Sequence, residues 1–190
     1  MSEATTGPGI AITADLLGAD FFTLLGLPKQ FGIDLPTLDE RFRQLQREVH
    51  PDRFAAADDA ARRASMMLAT QINAAYQTLR SPLKRATYLL EQAGVDVGAE
   101  SNTAMAPEFL MNQMLWREQV ADARMAKDAP ALTRLQAAIA DDIEAAYRDL
   151  AIALDQTRAP EHAVEGVRRL MFLEKLREEI EDALFALEDF

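Results

Sequence analysis

Apolar residues recur along most of this chain at steps of three and four, the spacing that places side chains on one face of an α-helix. Two series show the pattern clearly: Leu38, Phe42, Leu45 and Val49, then Leu68, Ile72, Ala75 and Leu79. Runs with the alternating period of a β-strand are almost absent. The sequence therefore predicts an all-α protein.

The first series predicts a helix that ends near His50, because Pro51 disfavours helical geometry at the residue before it and lacks a backbone donor. Its start carries Thr37 followed by Glu40, the spacing of a capping box. The second series predicts a helix from about Asp59. Two such helices joined by a short loop should form an antiparallel hairpin with that loop at its exposed tip.

Turn and capping residues divide the rest of the chain. The stretch "DFFTLLGLP" predicts a short apolar helical turn that Gly26 closes, and Ser81 is the expected N-cap of a helix that ends at Gly94. Residues 95–106 are small and polar and break the periodicity. The predicted organisation is a mobile N-terminal tail over 1–18, a first domain over 19–94, a linker over 95–106 and a second domain over 107–190.

Three long helical segments are predicted in the second domain, over about 107–126, 129–156 and 159–189. Apolar stripes on the last two indicate a three-helix bundle. Because those two helices exceed the usual length, we expect an elongated or L-shaped molecule.

Composition narrows the function. The chain has 20 basic and 31 acidic residues, and a net charge of -11 disfavours nucleic acid and anionic membranes as partners. It has no cysteine and only two histidines, so no metal and no cofactor are expected. Neither a signal peptide nor an apolar run of roughly 18 residues is found, so the cytoplasm is the expected location.

The tip sequence His50-Pro51-Asp52 admits three interpretations. His50 could simply cap the first helix, with the next two residues as ordinary turn formers. An enzyme could use His50 as a base oriented by Asp52, but the sequence predicts no pocket around them, so an enzyme is not expected. The third interpretation is a docking loop for another protein.

That third interpretation follows from the context, which resembles a J-domain, the module of co-chaperones that stimulate the ATPase of DnaK-like chaperones. The "DFFTLLGLP" stretch is similar to the usual opening "DYYxxLGL", and "INAAYQTLRSP" is similar to "xNxAYxxLxxP". The resemblance implies that His50, Pro51 and Asp52 dock on the chaperone near its nucleotide and interdomain linker. It also implies that an acidic chaperone surface meets four basic residues: Arg41, Arg43, Arg47 and Arg53.

Residues 20–190 further resemble the HscB family, the co-chaperones of bacterial iron–sulfur cluster assembly. The matching stretches are "SPLKRATYLLEQAG", "FLMNQMLWREQ", "RRLMFLEKL" and the terminal "LEDF". This resemblance implies a chain that binds the cluster scaffold IscU, delivers it to the DnaK-like chaperone HscA and stimulates ATP hydrolysis by HscA. A J-protein of the same architecture that serves DnaK and a different client stays open.

The stretch "PEFLMNQMLWREQ" holds too many large apolar groups for one helix face, so some should face outward and mark a protein contact. For Phe109 and each of the others, a place in the core stays an open alternative. By the resemblance, the IscU contacts would be Leu110, Met111, Met114, Glu118 and Phe172. The chain departs from the family pattern at Leu115 and Ala121, which weakens the predicted charged margin. Trp116 is equally consistent with packing and is left out of the predicted site.

Overall fold

The computed structural model of the chain describes residues 14–98, 107–157 and 160–188. All regular secondary structure in these residues is helical, which confirms the all-α prediction. The chain divides into two compact units, Met1–Arg85 and Ala86–Phe190. The division falls inside a helix, nearer the N-terminus than the predicted end of the first domain at residue 94, and the domain limits given above stay predictions. Most of the predicted linker and tail lies outside the described residues.

The helices are numbered in chain order. Those of the first unit are α1 (Ala14–Leu17), α2 (Phe21–Leu24), α3 (Leu35–Glu48), a 3₁₀ turn (Pro51–Phe54), α4 (Asp59–Arg80) and the start of α5 (Pro82–Gln92). Those of the second unit are the rest of α5, α6 (Pro107–Met125), α7 (Ala129–Ala151), a π-helical turn (Ile152–Gln156) and α8 (Pro160–Glu188). The short helix α1 falls within the segment that the sequence predicted to be a tail.

The predicted hairpin is formed by α3 and α4, which pack their apolar series against each other. All members of the two series are buried except Phe42, which is half-buried. Three hydrogen bonds between side chains or from side chain to backbone, each 2.8 Å long, join the two helices, and they fix the direction of packing. They pair Asp39 with Tyr76, Gln46 with Asn73, and Val49 with Ser65. Along α3 from Asp39 to Val49, the partner on α4 moves backward in sequence from Tyr76 to Ser65. The two helices are therefore antiparallel.

The predicted capping box at the start of α3 is wrong. Asp34 is the N-cap instead, and its carboxylate accepts hydrogen bonds from the Thr37 backbone N–H at 2.9 Å and the Thr37 hydroxyl at 2.5 Å. Thr37 therefore lies inside the first turn, where a carboxylate three residues earlier takes its donors. The predictions for the two ends of α5 hold. Ser81 Oγ accepts from the Lys84 N–H at 3.4 Å at its start, and Gly94 adopts a φ of +74° just past its end.

The second unit is the predicted three-helix bundle, since α6 packs on both α7 and α8. Its core is a set of fully buried aliphatic side chains from the two long helices, chiefly Leu132, Ile139, Leu150, Val167, Leu170, Leu173 and Ile180. Gly166 permits close approach, because a Cβ there would meet Leu150 Cδ2 at 3.2 Å. The segment after α5 is tied to this unit: Val97 is buried, and its carbonyl accepts from Arg168 Nε at 2.6 Å.

The N-cap of α2 offers a test of this local structure. The pKa of the Asp20 carboxyl lies below its ordinary value of 3.8. Partial burial acts to raise that pKa but is outweighed by hydrogen bonds from the Thr23 hydroxyl and the backbone N–H groups of Thr23 and Phe22, together with the charge of Lys29. A carboxyl whose folded pKa is depressed contributes stability above its unfolded pKa and loses it as the pH falls through the folded value.

We therefore expect Asp20→Ala to lower the free energy of unfolding of the first unit by about 1 kcal/mol at pH 7. The difference from wild type should shrink below pH 3.8, since protonation removes the same interaction. Urea unfolding followed by far-UV circular dichroism at pH 7 and at pH 3 measures it. Fluorescence of Trp116, the single tryptophan, reports on the second unit and should not change. A loss that is equal at both pH values would contradict the prediction.

Candidate functional site

The tip of the α3–α4 hairpin is shaped by its own side chains. Val49 is the C-cap of α3, and His50 caps the following 3₁₀ turn rather than the helix before it. The Asp52 N–H donates to His50 Nδ1 at 3.3 Å, and the Arg53 N–H donates to the His50 carbonyl at 3.0 Å. Pro51 occupies the first position of the turn, where a backbone donor is not needed. The motif thus builds a fixed turn.

The polar groups of this turn are left open to solvent. The side chains of His50 and Asp52 are 58% and 91% exposed, with His50 Nδ1 and Asp52 Oδ2 3.5 Å apart. When the imidazole is neutral and Nδ1 accepts from the backbone, its proton is on Nε2, which makes that nitrogen a donor. The loop therefore presents an N–H donor and a carboxylate acceptor to a partner.

Little enclosed space lies beside this pair. The cavity beside His50, lined by Gln46, Val49 and Ala69, measures only about 160 Å³. Sites that hold small molecules typically enclose roughly 300 to 1,000 Å³. Within the described residues, no group of three histidine, aspartate or glutamate side chains could hold a metal ion.

Ser65 holds the base of the loop. This α4 residue is buried, and its hydroxyl donates to the Val49 carbonyl at 2.8 Å, next to His50. A carbonyl at the end of a helix has no partner within the helix, so leaving it buried and unpaired would be unfavourable. Sequence reasoning missed Ser65, although a signal exists: it lies three residues before Leu68, on the buried stripe of α4.

The four predicted arginines are all exposed, but they do not form one surface. Successive residues of an α-helix are rotated by about 100°, so Arg43 and Arg47 lie about 40° apart on one outward stripe of α3. Arg41 lies about 160° from Arg43, on the opposite flank. Arg53 belongs to the 3₁₀ turn, beside Asp52. The fold therefore brings Arg43 and Arg47 together and separates Arg41 from them.

Several apolar groups of α6 face solvent, as the sequence predicted. Met111, Met114 and Leu115 are more than half exposed, and Glu118 is exposed as well. The steps of three and four from Met111 to Met114 and Glu118 place these residues on one stripe, here called the methionine stripe. Leu110 is half-buried at its edge, one turn before Met114.

Phe172 lies away from the methionine stripe. Its ring packs edge-on against Phe109 at 5.7 Å and stacks on Trp116 at 6.1 Å, both measured between ring centroids, and the Arg117 guanidinium lies 5.4 Å from its centre. Phe109 is buried, so the core alternative holds for it. Phe109 and Met111 are about 160° apart around the helix. Phe172 is therefore part of an aromatic cluster on the inner face of α6, and Trp116 packs in the same cluster.

An open cavity that the sequence did not indicate lies between α6 and α7. It measures about 430 Å³, and its walls are contributed by Gln119, Asp122, Ala123, Ala126, Asp128, Ala131, Arg134 and Leu135.

Among the described residues, every helix falls short of the length and apolar character that crossing a membrane requires.

Two family models match the chain. The model described as the DnaJ domain matches residues 20–88, and the model described as the HSCB C-terminal oligomerisation domain matches residues 105–181. The first match contains the α3–α4 hairpin with its tip loop, and the second contains the methionine stripe. Both families that the sequence resembled are thus found where the motifs predicted them.

Relatives of known family are similar over nearly their whole length. The chain is 54% identical over 159 residues to the co-chaperone protein HscB homolog of Burkholderia thailandensis, covering 84% of this chain and 90% of that protein. It is 49% identical over 173 residues to the HscB homolog of Azoarcus sp. BH72, covering 91% of this chain and 98% of that protein.

Two solved structures of HscB proteins are similar to this chain as well. The chaperone HscB from Vibrio cholerae aligns with a TM-score of 0.78 at 35% identity, covering 89% of this chain and 99% of that one. The human co-chaperone protein HscB aligns with a TM-score of 0.80 at 28% identity, covering 86% and 81%. These relatives are co-chaperones rather than enzymes. With both of its characteristic domains matched, the chain belongs to the HscB family of J-domain co-chaperones.

Proposed function

We propose that this co-chaperone is a cytoplasmic adaptor in iron–sulfur cluster assembly. Its J-domain docks on the DnaK-like chaperone HscA and stimulates ATP hydrolysis, while its second unit binds the scaffold protein IscU and delivers it. The observation that carries the proposal is the tip loop, in which a fixed turn presents His50 and Asp52 to solvent. Membership of the HscB family supports the choice of partners.

On the chaperone side, hydrogen bonds within the chain hold the loop backbone. The His50 cap and the Ser65 anchor fix its backbone, so little conformational entropy remains to be lost on docking. Arg43 and Arg47 supply a pair of neighbouring positive charges, and Arg53 adds one beside Asp52. Charges at the rim of an interface mainly raise the association rate and fix orientation. Arg41, on the other flank of α3, meets a separate part of the chaperone.

On the client side, Leu110, Met111 and Met114 form a small apolar centre, with Glu118 as its acidic margin. Interfaces of this kind place apolar anchors at the centre and polar groups around them. Methionine side chains adapt to the shape of a partner because they are unbranched and flexible. Phe172 contributes from the inner face by supporting α6 through Phe109 and Trp116.

The two sites gain from being on one chain. When IscU is held by the second unit and HscA by the first, the encounter between client and chaperone becomes local, and its effective concentration rises. Stimulation of HscA by this chain and by IscU together should therefore exceed the sum of the separate effects.

His50→Gln should abolish stimulation of the HscA ATPase and leave the affinity for IscU unchanged, because the substitution alters the docking loop alone. Steady-state ATP hydrolysis with purified HscA and IscU measures the first effect, and isothermal titration calorimetry with IscU measures the second. His162→Gln is the matched control, since it changes the other histidine, which is exposed on α8. Full stimulation by the His50 variant would reject the docking role of the loop.

The same assay separates the proposed client from the alternatives. Stimulation by wild type that is insensitive to IscU would retain the J-domain and reject IscU as the client. Stimulation of DnaK in place of HscA would favour a co-chaperone of the same architecture that serves another client.

Ser65→Ala tests whether the loop acts through its fixed shape. We expect stimulation of HscA to fall several-fold and the free energy of unfolding to fall by about 1 to 2 kcal/mol, since the buried Val49 carbonyl loses its partner. The Thr70→Ala variant removes an exposed hydroxyl from the same helix and should change neither quantity. ATP hydrolysis and urea unfolding of both variants give the comparison. Equal behaviour of the two would show that the Ser65 bond does not matter for docking.

Met111→Ala combined with Met114→Ala tests the client site. We expect the affinity for IscU to fall by about tenfold or more, as is typical when anchors at an interface centre are truncated. Calorimetry measures it. The control removes two methionines from the first unit, Met66 and Met67, by the same change to alanine, and should retain wild-type affinity for IscU. Unchanged affinity in the α6 variant would move the client site elsewhere on the bundle.

A further inference from the structure

Sulfur in this chain is found only in thioethers. The sequence has eight methionines and no cysteine, so no thiol can react with an oxidant ahead of them. Among the described residues the exposed methionines are Met66 and Met67, both 62% exposed, Met111 at 65%, Met114 at 74% and Met125 at 82%. Three of these five lie on α6, the helix of the proposed client site.

Exposed thioethers react with peroxides in a two-electron step. The sulfur gains one oxygen from the peroxide, the O–O bond breaks and the peroxide leaves as water or an alcohol, while both carbon–sulfur bonds remain. The product, methionine sulfoxide, is polar where methionine was apolar, and methionine sulfoxide reductases reverse the change. The position of the sulfur decides what such a change does.

We propose that Met111 and Met114 are peroxide-sensitive modification sites whose oxidation switches off client binding. The inference rests on the proposed function, in which these two side chains and Leu110 form the apolar centre of the IscU site. Oxidation converts two of those three groups to polar sulfoxides and leaves the centre with one half-buried leucine. Both side chains lie on the same stripe and are exposed to solvent, so an oxidant can reach their sulfur atoms without any unfolding.

The neighbourhood of the two methionines favours a local effect. The rings of Phe109, Trp116 and Phe172 contact one another on the inner face of α6, about 160° from the stripe, and hold the helix in place. Met171, on α8, is only half-exposed and should react more slowly. Oxidation of Met111 and Met114 therefore changes the chemistry of the surface while the bundle stays folded.

The test treats the full-length chain with hydrogen peroxide, locates sulfoxides by peptide mass spectrometry and measures IscU affinity by calorimetry before and after. We expect sulfoxide at Met111 and Met114, a loss of affinity of about tenfold or more, and recovery after treatment with both reductases, one for each sulfoxide epimer. Circular dichroism and Trp116 fluorescence should report an intact bundle throughout.

Leucine variants supply the matched controls, because leucine keeps the apolar volume and has no sulfur. Met111→Leu combined with Met114→Leu should bind IscU like wild type and should stay active after peroxide. Met66→Leu combined with Met67→Leu, and separately Met125→Leu, should remain as sensitive as wild type. The experiment measures IscU affinity rather than HscA stimulation, because oxidation of Met66 and Met67 in the J-domain can change stimulation by itself.

Two results would overturn the switch alone: sulfoxide at both α6 positions with unchanged affinity, or equal peroxide sensitivity in the Met111 and Met114 leucine variant. Failure of the untreated wild-type chain to bind IscU is a different result. It would reject the proposed client, and with it the switch.

Discussion

Pro51 lacks a backbone N–H and ends α3, so backbone groups at the tip have no partner within that helix. The structure of the tip depends on how these groups are paired instead. The Val49 carbonyl is taken up by the hydroxyl of a buried serine on the opposite helix, and the Asp52 N–H is taken up by the imidazole of His50. Each of these bonds removes a local freedom of the loop. The side chains of the motif therefore act first on their own backbone, and their remaining polar atoms face outward as a consequence.

Much of this fold could be predicted from the sequence because helical periodicity records burial directly. The two apolar series, the hairpin and the bundle all follow from it. The error at the start of α3 has a specific cause: Asp34 and Thr37 are both good N-cap residues, and the apolar series begins only at Leu38. The structure includes one more turn, which begins at Leu35, an exposed leucine three residues before Leu38 that the predicted series left out. Helix α1 was missed because four residues are too few to show a period.

The candidate site was less predictable, since residue type alone does not give direction. The resemblance marked four arginines, but only their positions around α3 separate Arg41 from the pair formed by Arg43 and Arg47. Phe172 illustrates the same limit. It was grouped with the methionines by resemblance, whereas its ring contacts Phe109 and Trp116 on the inner face of α6, and also the exposed Arg117. Ser65 shows the converse, since a polar residue on a buried stripe is a signal in itself.

The hydrogen bond from Arg168 to the Val97 carbonyl bears on where this protein can be divided. Family matching begins the C-terminal domain at residue 105, yet buried Val97 and the buried α5 residues Ala86 and Leu90 belong to the same compact unit. A fragment that starts at α6 would leave the Arg168 guanidinium without this acceptor. Dissection by recombinant expression or limited proteolysis should keep Val97 with the bundle, because the acceptor of the Arg168 guanidinium lies upstream of the residues that family matching delimits.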